Sequence, residues 1–139
     1  MLRAVVDVNV FVSALLRRDS VPAGVLRAWE NGDYELVASP ALLTELDNVL
    51  RRPHIARRIA PDAAPDVVAL IRSDAILVDD PPPARHVESD PDDDYLITLA
   101  LTAGAHAIVT GDALLLGLDL ERPRILTPRD FLTALEPLA

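Results

Sequence analysis

The chain contains no cysteine, and its basic residues are all arginine, with no lysine among them. The missing cysteines exclude disulfides and thiolate metal sites, and make a reducing compartment the natural setting. The missing lysines exclude chemistries that hold an ammonium beside a phosphoryl group. No apolar run approaches the ~20 residues of a membrane span. The N-terminus enters a strand-like run directly and meets an acid at position 7, unlike a secretory leader. A cytoplasmic protein is expected. A basic balance is also lacking: 22 acids against 13 arginines leave a net charge of −9. That balance argues against broad, nonspecific nucleic-acid binding. Internal repeats and low-complexity segments are absent.

What is present is 139 residues, 50% hydrophobic and 25% charged. This length and composition predict one globular domain over 1–139, large enough to bury a core unaided. Short apolar runs rich in Val and Ile predict strands at 2–8, 34–38, 76–78, 107–110 and 125–126. Helices are predicted from position 10 to about 18, and from Ser20 to Asn31 with Gly32 as the stop. Ser39-Pro40 opens another, with a capping serine and a proline in its first turn, and Pro53 ends it. Shorter helices follow near 54–59 and 65–73, then a stiff proline-rich connection over 79–83. A helix over 91–103 precedes the fourth strand. Thr127 to Asp130 reads as a capping box for the last helix. Strands alternating with helices predict a three-layer α/β/α sandwich around a central, mostly parallel sheet, Rossmann-like in build. Ligands in such folds bind beyond the carboxyl ends of the strands.

Acids recur where apolar segments end. Asp7 follows the first strand, Asp112 follows Thr110-Gly111 after the fourth, and Glu45 and Asp93 accompany the apolar stripes of helices. An ionised carboxylate near a core costs several kcal/mol unless a cation balances it. Converging carboxylates do not balance one another, so a hard divalent metal is the simplest account. Individually, Asp7 and Asp112 also suit helix caps. Within the acidic run 90–94, a rotation of ~100° per residue puts Asp93 in line with Leu96, Ile97 and Ala100. Asp90 is then an accessory, and Asp92 and Asp94 are expected as cap and solvent residues. Glu45 and Asp47 flank the stripe of their helix on opposite sides, and Glu45 lies nearer the strand ends. Asn9, Ser13 and Thr110 add polar groups. His54, His86 and His106 are expected at the surface.

The stretches Val5-Val6-Asp7-Val8-Asn9, Ser39-Pro40-Ala41-Leu42-Leu43-Thr44-Glu45-Leu46 and Asp90-Pro91-Asp92-Asp93-Asp94-Tyr95-Leu96 resemble, in order and spacing, those of PIN-domain nucleases. Ala100 to Gly104 and Ile108-Val109-Thr110-Gly111-Asp112 extend the likeness over nearly the whole chain. The VapC-type toxin components of bacterial toxin–antitoxin systems are the most similar branch. The resemblance implies a PIN-like fold and carries the family's acids onto Asp7, Glu45, Asp93 and Asp112, with Asp94 as the alternative third register. It implies a Mg²⁺- or Mn²⁺-dependent endoribonuclease, a small antitoxin whose basic side chain enters the acid pocket, and a homodimer. Oxygen-only ligands suit those ions. The acidic surface departs from a broad RNA-binding face.

Arg51, Arg52, Arg57 and Arg58 form the main basic patch and are the candidate phosphate contacts, with Arg17 and Arg18 a second group. Trp29 is a candidate for either the core or a dimer surface. Two other readings are open. A catalytically inactive interaction domain would keep the acids without the ion. A phosphoaspartyl receiver or an aspartate-based phosphatase would use Asp7 as its acceptor, but both normally use a lysine.

Overall fold

The computed structural model describes residues 1–82 and 91–136, and for 91–93 the backbone alone. Five short strands form one sheet: β1 (Arg3–Val6), β2 (Glu35–Ala38), β3 (Ile76–Leu77), β4 (Ala107–Val109) and β5 (Arg124–Leu126). Their spatial order is β3-β2-β1-β4-β5, and every neighbouring pair is parallel. β1 is central, with Val5 opposite Val37 on one side and Ile108 on the other. The sequence explains that place. Ala4, Val5 and Val6 are at most 1% exposed, as a strand covered on both faces requires.

From β1 the chain first lays strands outward in one direction, to β2 and then β3. It then crosses back and adds β4 and β5 on the other side. The first two crossovers carry α1 (Val8–Leu16), α2 (Val21–Glu30), α3 (Pro40–Leu50), α4 (Pro53–Ala56) and α5 (Ala63–Asp74). In this layer α1 packs on α2 and α3, and α3 on α5. The return crossover is α6 (Pro91–Ala103), which packs against β1 and β4. Right-handed connections place it on the opposite face. A short α7 (Ala113–Leu116) leads toward β5, and α8 (Pro128–Leu135) returns to pack on α2.

Local chemistry sets the boundaries. Ser20, Ser39 and Thr127 each cap a helix by accepting the N–H three residues on, and each helix has proline in its first turn. Gly32 and Gly104 take positive φ angles of 80° and 65° just beyond α2 and α6, where a side chain would be strained. The first strand is shorter than the apolar run suggests. Val8 belongs to α1 because Asp7 caps that helix and turns the chain. Trp29 is 8% exposed and belongs to the core, not to a free surface. Among the described residues, no helix is long and apolar enough to cross a membrane.

Candidate functional site

Each strand of the sheet is followed at its carboxyl end by a polar or acidic group: Asp7, Ser39, Asp79-Asp80, Thr110 and Thr127. The strand order reverses between β1 and β4, and such a switch point opens a crevice at the strand ends. Asp7 and Thr110 stand on either side of it.

They are joined there. The backbone N–H of Asp7 continues the ladder by donating to Val109 O at 2.9 Å, and that of Thr110 donates to Leu126 O at 3.0 Å. Fully buried Thr110 donates its hydroxyl to Asp7 Oδ2 at 2.8 Å. The same Oγ1 accepts the backbone N–H of Asp112 at 3.0 Å. One hydroxyl therefore links two acids that lie 105 positions apart in the sequence. Each acid is also a cap: Asp7 Oδ1 accepts from the Asn9 N–H at 3.2 Å, and Asp112 Oδ1 accepts from the Leu114 N–H at 2.8 Å. The capping and ligand readings are thus compatible, because these contacts leave lone pairs on both carboxylates. Beside them an open cleft of about 330 Å³ is lined by Asn9, Ser13, Pro22, Gly111, Asp112 and Pro128.

The other candidates are distributed as follows. Glu45 lies on the exposed side of α3, nearly two turns beyond Ser39, and its charge bears on Tyr95. Asp94 was expected at the solvent edge of α6, yet it is 4% exposed. The reason is that α6 is apolar nearly all round: Leu96, Ile97, Leu99 and Ala100 are all buried, so its buried arc is wider than one stripe. The side chain of Asp93 lies outside the described residues, as does all of Asp90. His106 is half-buried, and its Nδ1 accepts the Arg3 backbone N–H at 3.0 Å, which is a structural contact. His54 is exposed, and His86 lies outside the described residues.

A second polar cluster lies around Tyr95, beyond β2 and β3. Ser39, 0% exposed, accepts the Leu42 N–H and hydrogen-bonds to the phenol of Tyr95. Tyr95 donates to Asp80 Oδ1, which also accepts the Ala41 N–H at 3.1 Å. Burial, the Asp80 hydrogen bond and the charges of Asp80 and Glu45 push the Tyr95 phenol up to about 12, while Ser39 pulls the other way. The Tyr95 hydrogen bond, with help from Ala41 and Ser39, holds Asp80 below the usual carboxylate range. Sequence reasoning treated 79–83 as a spacer and missed this cluster. The capping role of Ser39 was legible, but its pairing with a tyrosine 56 positions away was not.

Oxygen donors of this kind suit a hard divalent ion. Among the described residues, no three acids or histidines lie close enough together to form a complete cage. No described cation forms an ion pair with Asp7 or Asp112. Mg²⁺ does not require a cage, because it keeps several waters and binds through one or two carboxylates plus substrate oxygens. Asp7 and Asp112 offer oxygen donors after adjacent strands, where the Thr110 hydroxyl bonds the carboxylate of one and the backbone N–H of the other.

The family model described as PIN domain matches residues 3–114. Among solved structures, PAE2754 from Pyrobaculum aerophilum is similar, with a TM-score of 0.63 at 18% identity, over 96% of this chain and 89% of that one. The PIN domain of human SMG5 aligns at 13% identity with a TM-score of 0.49, over 96% and 99% of the two chains. Likeness at such identities is one of fold: a five-stranded parallel sheet flanked by helices. No curated protein matches the sequence.

Proposed function

This chain belongs to the PIN-domain family, and from that premise we propose that it is a Mg²⁺- or Mn²⁺-dependent endoribonuclease. PIN domains are generally nucleases that use divalent metal ions. The observation that carries the proposal is the Asp7–Thr110–Asp112 linkage at the topological switch point. Asp7 and Asp112 would hold the ion, with Glu45, Asp93 and Asp94 as further acids and Asp90 as an accessory. When bound, the ion supplies positive charge against the scissile phosphate and lowers the pKa of a water.

The chain's own part is positioning. Thr110 fixes the Asp7 carboxylate, while the Asn9 and Leu114 N–H groups hold one oxygen of each acid. The cleft beside Asn9, Ser13 and Asp112 is open enough to admit a backbone phosphate. Arg52, Arg57 and Arg58 are exposed, and Arg51 is paired with Asp47 at 3.0 Å. This patch begins at the far end of α3 from Ser39, ~16 Å along an 11-residue helix. These arginines suit phosphates away from the bond being cut.

The narrower reading, the toxin of a toxin–antitoxin pair, is supported by the likeness of the sequence motifs to VapC-type proteins. It brings with it a small antitoxin partner with a basic side chain for the acid pocket, and a homodimeric toxin.

The test is cleavage of a panel of structured RNAs with Mg²⁺ or Mn²⁺. Asp7→Asn and Asp112→Asn are expected to lose more than about 100-fold in rate, with the fold intact by circular dichroism. Wild-type rates in both variants would sink the nuclease assignment. An inactive interaction domain would show neither cleavage nor a rise in melting temperature with Mn²⁺.

A further inference from the structure

We propose that Tyr95 is a positioning residue for the metal site. Its phenol oxygen ties the capping serine of α3 to Asp80 after β3, and so sets the N-terminal end of α6 against the helix bearing Glu45. What is positioned, an ion site, rests on the nuclease reading above; the contacts themselves do not.

The chain of hydrogen bonds has one consistent direction. Asp80 as a carboxylate only accepts, so Tyr95 gives it the phenol proton. Ser39 then donates to the phenol oxygen, while its own oxygen accepts the Leu42 N–H. Asp80 accepts a second bond from the Ala41 N–H at 3.1 Å. Three segments remote in sequence thus meet at one phenol: the start of α3, the turn after β3 and the start of α6.

The location gives these contacts their significance. Tyr95 directly follows Asp94, a buried carboxylate of α6, and the two residues share one helical turn. Its ring is close enough to Glu45 for that charge to act on the phenol. An acid on a helix end is aimed by whatever fixes the rotation and tilt of that end. α6 packs on β1 and β4, with Leu96, Ile97, Leu99 and Ala100 buried along it. The Tyr95 hydroxyl adds a side-chain anchor near the N-terminal end. Groups that orient metal ligands from outside typically change metal affinity 10- to 100-fold when removed.

Tyr95→Phe keeps the ring and removes only the hydroxyl, and Asp80→Ala removes the acceptor. Both variants and the double variant are compared with wild type by amide exchange of the metal-free protein and by titration of Mn²⁺ through melting temperature. Tyr95→Phe is expected to cost only about 2–4 °C without metal. Exchange of the amides of residues 95–98 should rise about tenfold, while those of 99–103 stay unchanged. The Mn²⁺ concentration for half-saturation should rise about tenfold or more. The double variant should lose no more than the worse single one, as members of one chain do.

Unchanged exchange at 95–98 overturns the proposal, as does faster exchange with wild-type Mn²⁺ affinity, which would leave a merely structural contact. A wild type without any Mn²⁺ response removes the nuclease reading and, with it, Tyr95's role toward an ion. In that event the exchange data still decide whether the phenol holds α6.

Discussion

Thr110 offers no surface to solvent, and both of its side-chain contacts serve groups at the carboxyl end of the sheet. Replacing it with valine keeps the shape but removes a donor to Asp7 and an acceptor for the Asp112 N–H. Thr110→Val is expected to lower stability by about 1–3 kcal/mol in urea denaturation without metal. Thr110→Ser, which keeps the hydroxyl, should stay closer to wild type. Equal midpoints for the valine variant and wild type would show that the linkage contributes nothing. At this scale the sequence was partly readable. Asp7, Thr110 and Asp112 stand out because each follows an apolar run that ends abruptly. Asp94 does not, because a helix written Tyr95-Leu96-Ile97-Thr98-Leu99-Ala100 has too little polar contrast for rotation alone to rank its neighbouring acids. The Tyr95–Asp80 contact spans 15 positions and depends on where β3 ends. Local pattern carries no record of it.

Among the elements, α8 closes one side of the helical layer by packing on α2. Phe131 is its anchor, fully buried and meeting the Tyr34 ring edge-on at a centroid distance of 4.8 Å. Tyr34 in turn donates its hydroxyl to Val25 O in α2 at 3.0 Å. The last helix is therefore pinned to α2 and to the start of β2 through one aromatic pair. Phe131→Ala is expected to destabilise the protein by about 3–5 kcal/mol. A loss below about 1 kcal/mol in denaturant titration would mean that α8 contributes little to the core. Helix starts were the most legible features, since Ser20, Ser39 and Thr127 announce themselves by a hydroxyl followed by proline. Strand ends were less so: Val8 resumes the apolar pattern after Asp7 and suggests a longer β1, whereas the capping contact of Asp7 marks the turn.

For the whole molecule, the absence of lysine and cysteine makes alkaline stability unusually simple to interpret. The two tyrosines are the side chains whose ordinary titration falls near pH 10. Burial raises Tyr34 far above its usual value, and Tyr95 is raised to about 12. The folded protein thus keeps phenol protons that the unfolded chain releases from about pH 10. Fewer protons bound in the unfolded state means stability falls as pH rises through this range. The tyrosine contribution is complete below pH 10 and fades toward the folded-state values. Melting temperature should decline across this alkaline window, while ultraviolet absorbance shows little tyrosinate before unfolding. Tyrosinate appearing near pH 10 in the folded protein would contradict the burial of Tyr34.

Sheet order has a consequence for synthesis. Asp7 leaves the ribosome early, but the hydroxyl that steadies it belongs to residue 110, and the acid across the switch point to residue 112. A nascent chain must extend past β4 before both halves of the pocket exist. A translation product that stops before β4 is built is therefore harmless to the messenger that encodes it.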